Sequence, residues 1–348
     1  MFEKIFKEFG IDTKASVKPF GSGLINNTWL ISENENDLIL QRINHNVFKQ
    51  PFDIAANIRL ICEYLKANHP HHLFICPRKT IAGDEMIFIK NEGYFRIFPF
   101  IKNSHTTDVV VSLSQAYEAA EQFGRFTNLL SAFPVDKLKN TLPDFHNLSL
   151  RYSQFKTAVM EGNKERIKQS SALISFLRDQ YKIVSISERI KNDPDFKKRI
   201  THHDSKINNV LFDENNRGLC VIDLDTVMPG YFISDFGDMM RTYLSPASEE
   251  EKDLSKIEIR DDYFKAITDG YLSEMGNELT ATEKKYLVYA GKFMTYMQAL
   301  RFLTDHLNND VYYGAKYEEH NFIRANNQAT LLKKIIEREK FLQKIIGV

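Results

Sequence analysis

Thr201-His202-His203-Asp204-Ser205-Lys206-Ile207-Asn208-Asn209-Val210-Leu211-Phe212 sets a His, an Asp and an Asn at the spacing His-x-Asp-x-x-x-x-Asn and runs straight into an apolar strand. Asp213 and the turn-forming Glu214-Asn215-Asn216-Arg217-Gly218 follow. A second apolar run, Leu219-Cys220-Val221-Ile222, then ends in Asp223. Two such runs around an Asn- and Gly-bearing turn predict a hairpin. A turn centred on Asn216 pairs Asp213 with Leu219, Leu211 with Val221 and Asn209 with Asp223. Directly opposed residues of antiparallel strands hold their Cβ atoms about 5 Å apart on one face. An amide oxygen and a carboxylate then converge as a cation site. Mg²⁺ takes hard oxygen ligands, usually only one or two from protein, and Asn209 with Asp223 meet that demand. Asp204 is then placed to accept a proton from an attacking hydroxyl and to align that hydroxyl with a phosphoryl group.

Upstream, residues 17–100 read as strand-rich. Short apolar or alternating runs at residues 27–32, 38–43, 86–90 and 94–98 are separated by polar turns. One helix interrupts them at residues 52–67, opened by Pro51 and carrying Ile54, Ile58, Ile61 and Leu65 on one face. Beyond residue 103 the periodicity is mostly helical, with long stretches at 114–130, 148–160, 164–191, 283–307 and 326–346. A small strand-rich lobe followed by a large helical lobe is the expected architecture, divided near residues 98–104. Between the first strands lies Phe20-Gly21-Ser22-Gly23-Leu24-Ile25-Asn26-Asn27-Thr28-Trp29, which reads either as a phosphate-cradling glycine loop or as an ordinary hairpin turn. Phe95-Arg96-Ile97-Phe98-Pro99-Phe100-Ile101 reads as a connection between lobes or as an edge strand ended by Pro99.

The whole chain bounds what such a site serves. Its 348 residues suffice for two lobes sharing a cleft. Lys plus Arg and Asp plus Glu both total 46, so no global charge points to nucleic acid, an anionic membrane or a polycationic substrate. No apolar run approaches the roughly 18 residues of a membrane span. Residues 1–11 form a short amphipathic helix rather than a leader, and a cytoplasmic location is expected. Cys62, Cys76 and Cys220 are odd in number and set among apolar neighbours, which predicts buried free thiols. Oligomeric state is not legible.

These motifs resemble those of the aminoglycoside phosphotransferase and choline kinase superfamily, relatives of the protein kinases. The resemblance implies a protein-kinase-like two-lobed α+β fold, with a small antiparallel β lobe carrying one main helix over residues 1–101 and a larger mostly helical lobe over 102–348. It implies ATP and Mg²⁺. His202 would shape the catalytic loop, Asp204 act as base, Asn209 bind metal, Asp223 be the main metal ligand and Asp225 help. Gly21, Ser22, Gly23, Asn26, Asn27 and Thr28 would border the phosphates, and Phe98 and Phe100 the adenine. Arg42, in Leu40-Gln41-Arg42-Ile43, stands where the family places a Lys or Arg reaching the α- and β-phosphates. The helix that should supply its acidic partner puts Asn57 or Ile58 at that spacing rather than Glu63. Asp235-Phe236-Gly237 spells the metal-binding triplet of protein kinases but lies outside the hairpin, and a later Asp of this kind braces the catalytic loop in the resembled family.

A closer resemblance is to N-acetylhexosamine 1-kinases. It rests on Leu24-Ile25-Asn26-Asn27-Thr28, Leu40-Gln41-Arg42-Ile43-Asn44 with Val47-Phe48, Pro143-Asp144-Phe145-His146-Asn147, Asp225-Thr226-Val227-Met228-Pro229-Gly230 and residues 294–313. On one helical face Ala290, Met294 and Met297 lead to Arg301, with Asp305 one turn on as an ion partner. Its guanidinium either snorkels to water or enters the cleft, and the resemblance favours a substrate-binding role. His146, Asp144 and Tyr313 are further substrate candidates. The implied acceptor is an amino sugar; rival readings are a kinase of choline, homoserine or an aminoglycoside, a silent nucleotide-binding module, or a hydrolase with metal held by His202-His203-Asp204 and His69, His71 and His72.

Overall fold

Apolar residues at positions 5, 6 and 9 give the N-terminus one greasy face, and α1 (Phe2–Phe9) buries Ile5, Phe6 and Phe9 with it. The computed structural model, which describes residues 1–21, 25–33 and 36–347, continues with β1 (Ser16–Pro19), β2 (Asn27–Glu33), β3 (Asn36–Ile43), α2 (Pro51–Asn68), β4 (Ile87–Ile89) and β5 (Gly93–Pro99). The five strands form one antiparallel sheet in the order β1-β2-β3-β5-β4. Because successive side chains alternate across a sheet, Leu38, Leu40, Phe95 and Ile97 face α1 as a closed apolar cluster. Gln41 pairs with Arg96 and Ile39 with Phe98, so these four residues share the opposite face.

Pro51 at the first turn starts α2, whose Ile54, Ile58, Ile61 and Leu65 are buried as their spacing predicts. The helix is tied to the rest of the chain by Asn57. Its amide donates to the Lys139 and Val227 carbonyls at 2.9 and 3.1 Å and accepts from Lys139 N–H at 2.8 Å. The expected free thiols at its far end need correction: Cys62 of α2 and Cys76 form a disulfide, and Cys220 is free and buried. The chain folds back after α2, a proximity that a separation of 14 residues does not announce.

β6 (Ser104–His105) already pairs with the later hairpin, so residues 100–103 carry the crossing from one half to the other. There follow α3 (Leu113–Leu129), α4 (Leu148–Glu161), α5 (Lys164–Gln169), α6 (Ser171–Asp179), α7 (Lys182–Asn192), β7 (Arg199–Thr201), β8 (Val210–Asp213), β9 (Gly218–Val221), β10 (Met228–Gly230), α8 (Phe232–Tyr243), α9 (Asp261–Met275), α10 (Ala281–Lys284), α11 (Leu287–Leu307) and α12 (His320–Ile345). α11 is the hub, packed against α4, α8 and α12, while α3 lies along α9. The helix expected over 164–191 is three, broken at Ser170 and Gln180. Among the described residues no helix is long and apolar enough to cross a membrane.

Candidate active site

β7 and β10 pair antiparallel, Thr201 with Met228, and deliver the loop 202–209 from a fully buried strand. Arg199 anchors that strand through a two-pronged pair with buried Glu283, at 2.6 and 2.9 Å. His203 lies at φ 65°, a left-handed conformation that a side-chain-bearing residue adopts only when its surroundings impose it. Asp235, fully buried in the first turn of α8, imposes it: its two oxygens accept the backbone N–H groups of His202 and His203 at 2.8 and 2.7 Å. Asp235 is thus engaged by the loop. A Cβ at Gly230 would collide with Thr201 Oγ1 and the His203 ring, so the neighbouring strand also needs its glycine. Asp235→Ala orphans two buried donors and is expected to lower unfolding free energy by about 3 kcal/mol. Urea denaturation checks this; a loss under about 0.5 kcal/mol would remove Asp235 as the brace.

His202, also fully buried, points its Nε2–H at the Ile222 carbonyl, 2.8 Å away, and packs edge-on against Phe123. It links the loop to the hairpin from within the core. Asp204 is partly exposed. Asn209 donates to its Oδ2 at 3.0 Å and to its carbonyl at 2.8 Å, and Lys206 Nζ lies 2.9 Å from its Oδ1. Burial opposes the Asp204 charge, but Lys206, His202 and Asn209 together outweigh it and hold the carboxyl below its usual pKa. In return the Asp204 charge raises that of Lys206. Lys206, two residues after Asp204, puts a cation beside that carboxylate, a neighbour the His-x-Asp-x-x-x-x-Asn spacing does not announce.

The hairpin exists, but its register differs from the expectation. Val210 pairs with Val221 and Leu211 with Cys220, and Ile222 N–H donates to the Asn209 carbonyl at 2.9 Å. Asn209 therefore opposes Ile222 rather than Asp223. The cause is the turn, which is centred on Asn215 rather than Asn216, with Phe212 paired to Gly218 and Asp213 N–H donating to the Arg217 carbonyl; a bulge between Leu211 and Phe212 then recovers only one of the two residues of difference. Asp223 stands just past the strand at φ 57° and is exposed. Enclosure by surrounding protein, then the charges of Asp225 and Asp204, push its pKa up to about 7. Crowded carboxylates beside an amide oxygen are the donor set a hard divalent cation relieves, so these residues fit Mg²⁺. Asn209, with its Nδ2 committed to Asp204, has its Oδ1 left to accept.

On the other wall, Ser22 and Gly23 lie outside the described residues, and Gly21 takes φ 78°. Thr28 pairs with Gln41 on the face opposite α1. Asn26 donates to Asp225 Oδ2 at 2.7 Å, joining the end of the glycine-bearing segment to the loop after Asp223. Phe98 shares the Gln41 face, and Phe100 meets Phe20 edge-on with ring centroids 5.9 Å apart. Arg42 and Asn27 differ from expectation. They pair across β2 and β3 in line with Phe95, hence on the α1 side, and Arg42 donates to Asn27 Oδ1 at 2.8 Å. Neither Asn57 nor Glu63 partners Arg42: Asn57 holds backbone, and Glu63 faces Arg59 at 3.7 Å.

A second set of side chains adjoins the loop. His146 stacks on Phe145 with centroids 4.5 Å apart and lies 5.2 Å from the His203 ring; burial drives its pKa well down, leaving it neutral. Arg301 reaches the same place, its guanidinium 5.4 Å from the rings of Phe145 and Tyr313 and 6.0 Å from Tyr312. Asp305 is not its partner, because that carboxylate accepts the Tyr312 and Tyr313 N–H groups at 2.7 and 2.9 Å. Asp144, exposed and at φ 58°, accepts from Asn147 Nδ2 at 2.8 Å and, through its carbonyl, from Arg151 at 3.0 Å. Among the described residues, no three His, Cys, Asp or Glu side chains are grouped to hold a metal ion, so the hydrolase set of His69, His71, His72 and the loop histidines is not assembled.

Residues 16–270 match the model of a family described as phosphotransferase enzymes. Among solved structures, an amicoumacin kinase bound to AMP-PNP, Ca²⁺ and amicoumacin is similar at TM-score 0.65 and 13% identity, over 96% of this chain and 92% of that one. A microcompartment-associated aminopropanol kinase is similar at 0.63 and 16%, over 98% and 97%. A choline kinase from Cryptosporidium parvum is similar at 0.59 and 16%, over 99% and 96%. At these identities the likeness is one of fold.

Proposed function

The chain belongs to the phosphotransferase enzyme family, and from that premise we propose that it phosphorylates the anomeric hydroxyl of an N-acetylhexosamine. It is an ATP- and Mg²⁺-dependent phosphotransferase acting on a hydroxyl. Mg²⁺·ATP, when bound, supplies the γ-phosphoryl group and neutralises charge on its oxygens. Asn209 and Asp223 would hold the cation. Asp204 aligns the acceptor hydroxyl and takes its proton as the new O–P bond forms and ADP departs. Each Asp204 oxygen keeps a lone pair beyond those engaged by Lys206 and Asn209, which leaves room for that contact. Lys206 offsets negative charge at the transfer point.

The observation that carries the sugar reading is the charge balance around Arg301. Among the described residues two carboxylates nearby are engaged: Asp305 by two backbone N–H groups and Glu249 by Arg241 and Arg324. Burial opposes the Glu249 charge, but those two arginines outweigh it and lower its pKa to about 2. A guanidinium set among aromatic rings, with the neighbouring Asp305 and Glu249 carboxylates already engaged, suits a neutral acceptor that offers carbonyl and hydroxyl oxygens. Choline or an aminoglycoside would meet repulsion from Arg301. Release of ADP across free hexosamines, N-acetylhexosamines, choline, homoserine, aminopropanol and aminoglycosides tests this. Turnover of an N-acetylhexosamine well above the cationic alcohols is expected; preference for a cationic alcohol would overturn the sugar assignment. Arg301→Ala is expected to raise acceptor KM about 30-fold, the worth of a charged hydrogen bond, with KM for ATP nearly unchanged.

A further inference from the structure

With Arg42 on the α1 side of the sheet, the cleft wall has no cation from β3, and Gln41 occupies the cleft-facing position there. Its cross-strand partner on β5 is Arg96, which is only 2% exposed. Arg96 Nε and Nη2 both donate to Gln41 Oε1, at 3.0 and 2.8 Å, and Nη2 lies 2.5 Å from Asp225 Oδ1. The guanidinium also sits 4.9 Å from the centre of the Phe98 ring. Its remaining nitrogen, Nη1, is buried and has no hydrogen-bond partner among the described residues. Deeply buried ion pairs contribute little net stability, and a buried donor left over is costly, so packing alone accounts poorly for an arginine here.

The surroundings indicate what the leftover donor serves. On one side is Phe98, at the end of the cleft read as the adenine end. On the other is Asp225, two residues after Asp223 and bonded also to Asn26 at the close of the glycine-bearing segment. A nucleotide laid from Phe98 towards Asp223 would carry its phosphates past Arg96. We propose that Arg96 is the side chain that contacts the nucleotide's α- and β-phosphates, with Gln41 and Asp225 holding its planar fork in position. The role expected of Arg42 on β3 is thereby carried from β5. This rests on the reading of the cleft as the ATP site.

Calorimetric titration with ADP and with adenosine, both without metal, separates the contact from a structural role. The variants are Arg96→Gln, the charge-balanced double variant Arg96→Gln with Asp225→Asn, and Arg42→Gln. The double variant removes both buried charges together and so guards against misfolding. Both Arg96 variants are expected to lose about 30-fold in ADP affinity while adenosine affinity stays within about threefold, and Arg42→Gln is expected to change neither beyond that. ADP binding within about threefold of wild type in the double variant would overturn the assignment. Equal losses for ADP and adenosine, or a phosphate-dependent loss in Arg42→Gln instead, would overturn it too. A wild-type chain that binds neither ligand would instead overturn the nucleotide-site reading beneath it.

Discussion

Asp204→Asn is expected to lower kcat by about 10³- to 10⁴-fold, the upper range of what a positioned base contributes, with KM for ATP changed less than about threefold. The substitution keeps shape and volume but removes the charge that orients an acceptor hydroxyl. It also removes the ion pair with Lys206, 2.9 Å away, and can set two amide NH₂ groups against each other at Asn209. The loop should nevertheless stay folded, because its geometry is imposed by Asp235 and by the His202 contact with Ile222 rather than by Asp204. Circular dichroism and nucleotide affinity should match the wild type. Steady-state ADP release on the best acceptor gives the decisive number. Activity within tenfold of wild type would take Asp204 out of the reaction, since no surrounding group duplicates its position.

What was legible in the sequence follows from what one-dimensional patterns encode. Strand alternation and the Pro51 start of α2 are local signals, and the elements they announced formed with boundaries shifted by a residue or two. α8 and α9 went unannounced. In α8 the polar residues Ser234, Asp235, Asp238, Arg241 and Thr242 do recur at helical spacing, but all except Thr242 are buried, so that stripe meets the protein interior rather than water. At Gly237 this helix comes so close to the Ala290 carbonyl of α11 that a side chain would not fit. The long pattern at 164–191 hid its breaks because Ser170 and Gln180 are ordinary helix residues with no Gly or Pro to mark them.

The site was legible in its parts but not in its parity. Asp204, Asn209 and Asp223 are neighbours in the structure because the loop and hairpin are contiguous in sequence. A turn centred on Asn215, only half offset by the bulge at Leu211/Phe212, nonetheless leaves the register one residue away, and a shift of one residue changes the face on which every later side chain lies. The same parity decides between Arg42 and Gln41. A strand read only as apolar and alternating does not say which face looks into the cleft until α1 covers the other one. Arg96 was visible as a residue, but its role depends on Gln41, Phe98 and Asp225, which only the fold assembles.

Asp223→Asn should separate catalysis from stability by moving them in opposite directions. Enclosure and the charges of Asp225 and Asp204 push the Asp223 pKa up to about 7, above the value of about 3.9 for an unfolded Asp. A carboxyl whose folded pKa is raised subtracts stability as pH climbs from the unfolded value towards the folded one, and the subtraction is complete above it. Without metal, the variant is therefore expected to melt at nearly the same temperature as wild type at pH 4 and at a higher temperature at pH 8. Added Mg²⁺ reverses the order: bound to the native state only, it should raise the wild-type melting temperature at pH 8 and leave the variant nearly unmoved. Turnover should fall by about 10³-fold in the variant, because the cation that steadies the transferring phosphoryl is no longer held by a full charge. Differential scanning fluorimetry with and without Mg²⁺, beside the ADP-release assay, gives all three readings. A variant that melts lower than wild type without metal, or that gains equally from Mg²⁺, would show that Asp223 serves the fold rather than the cation.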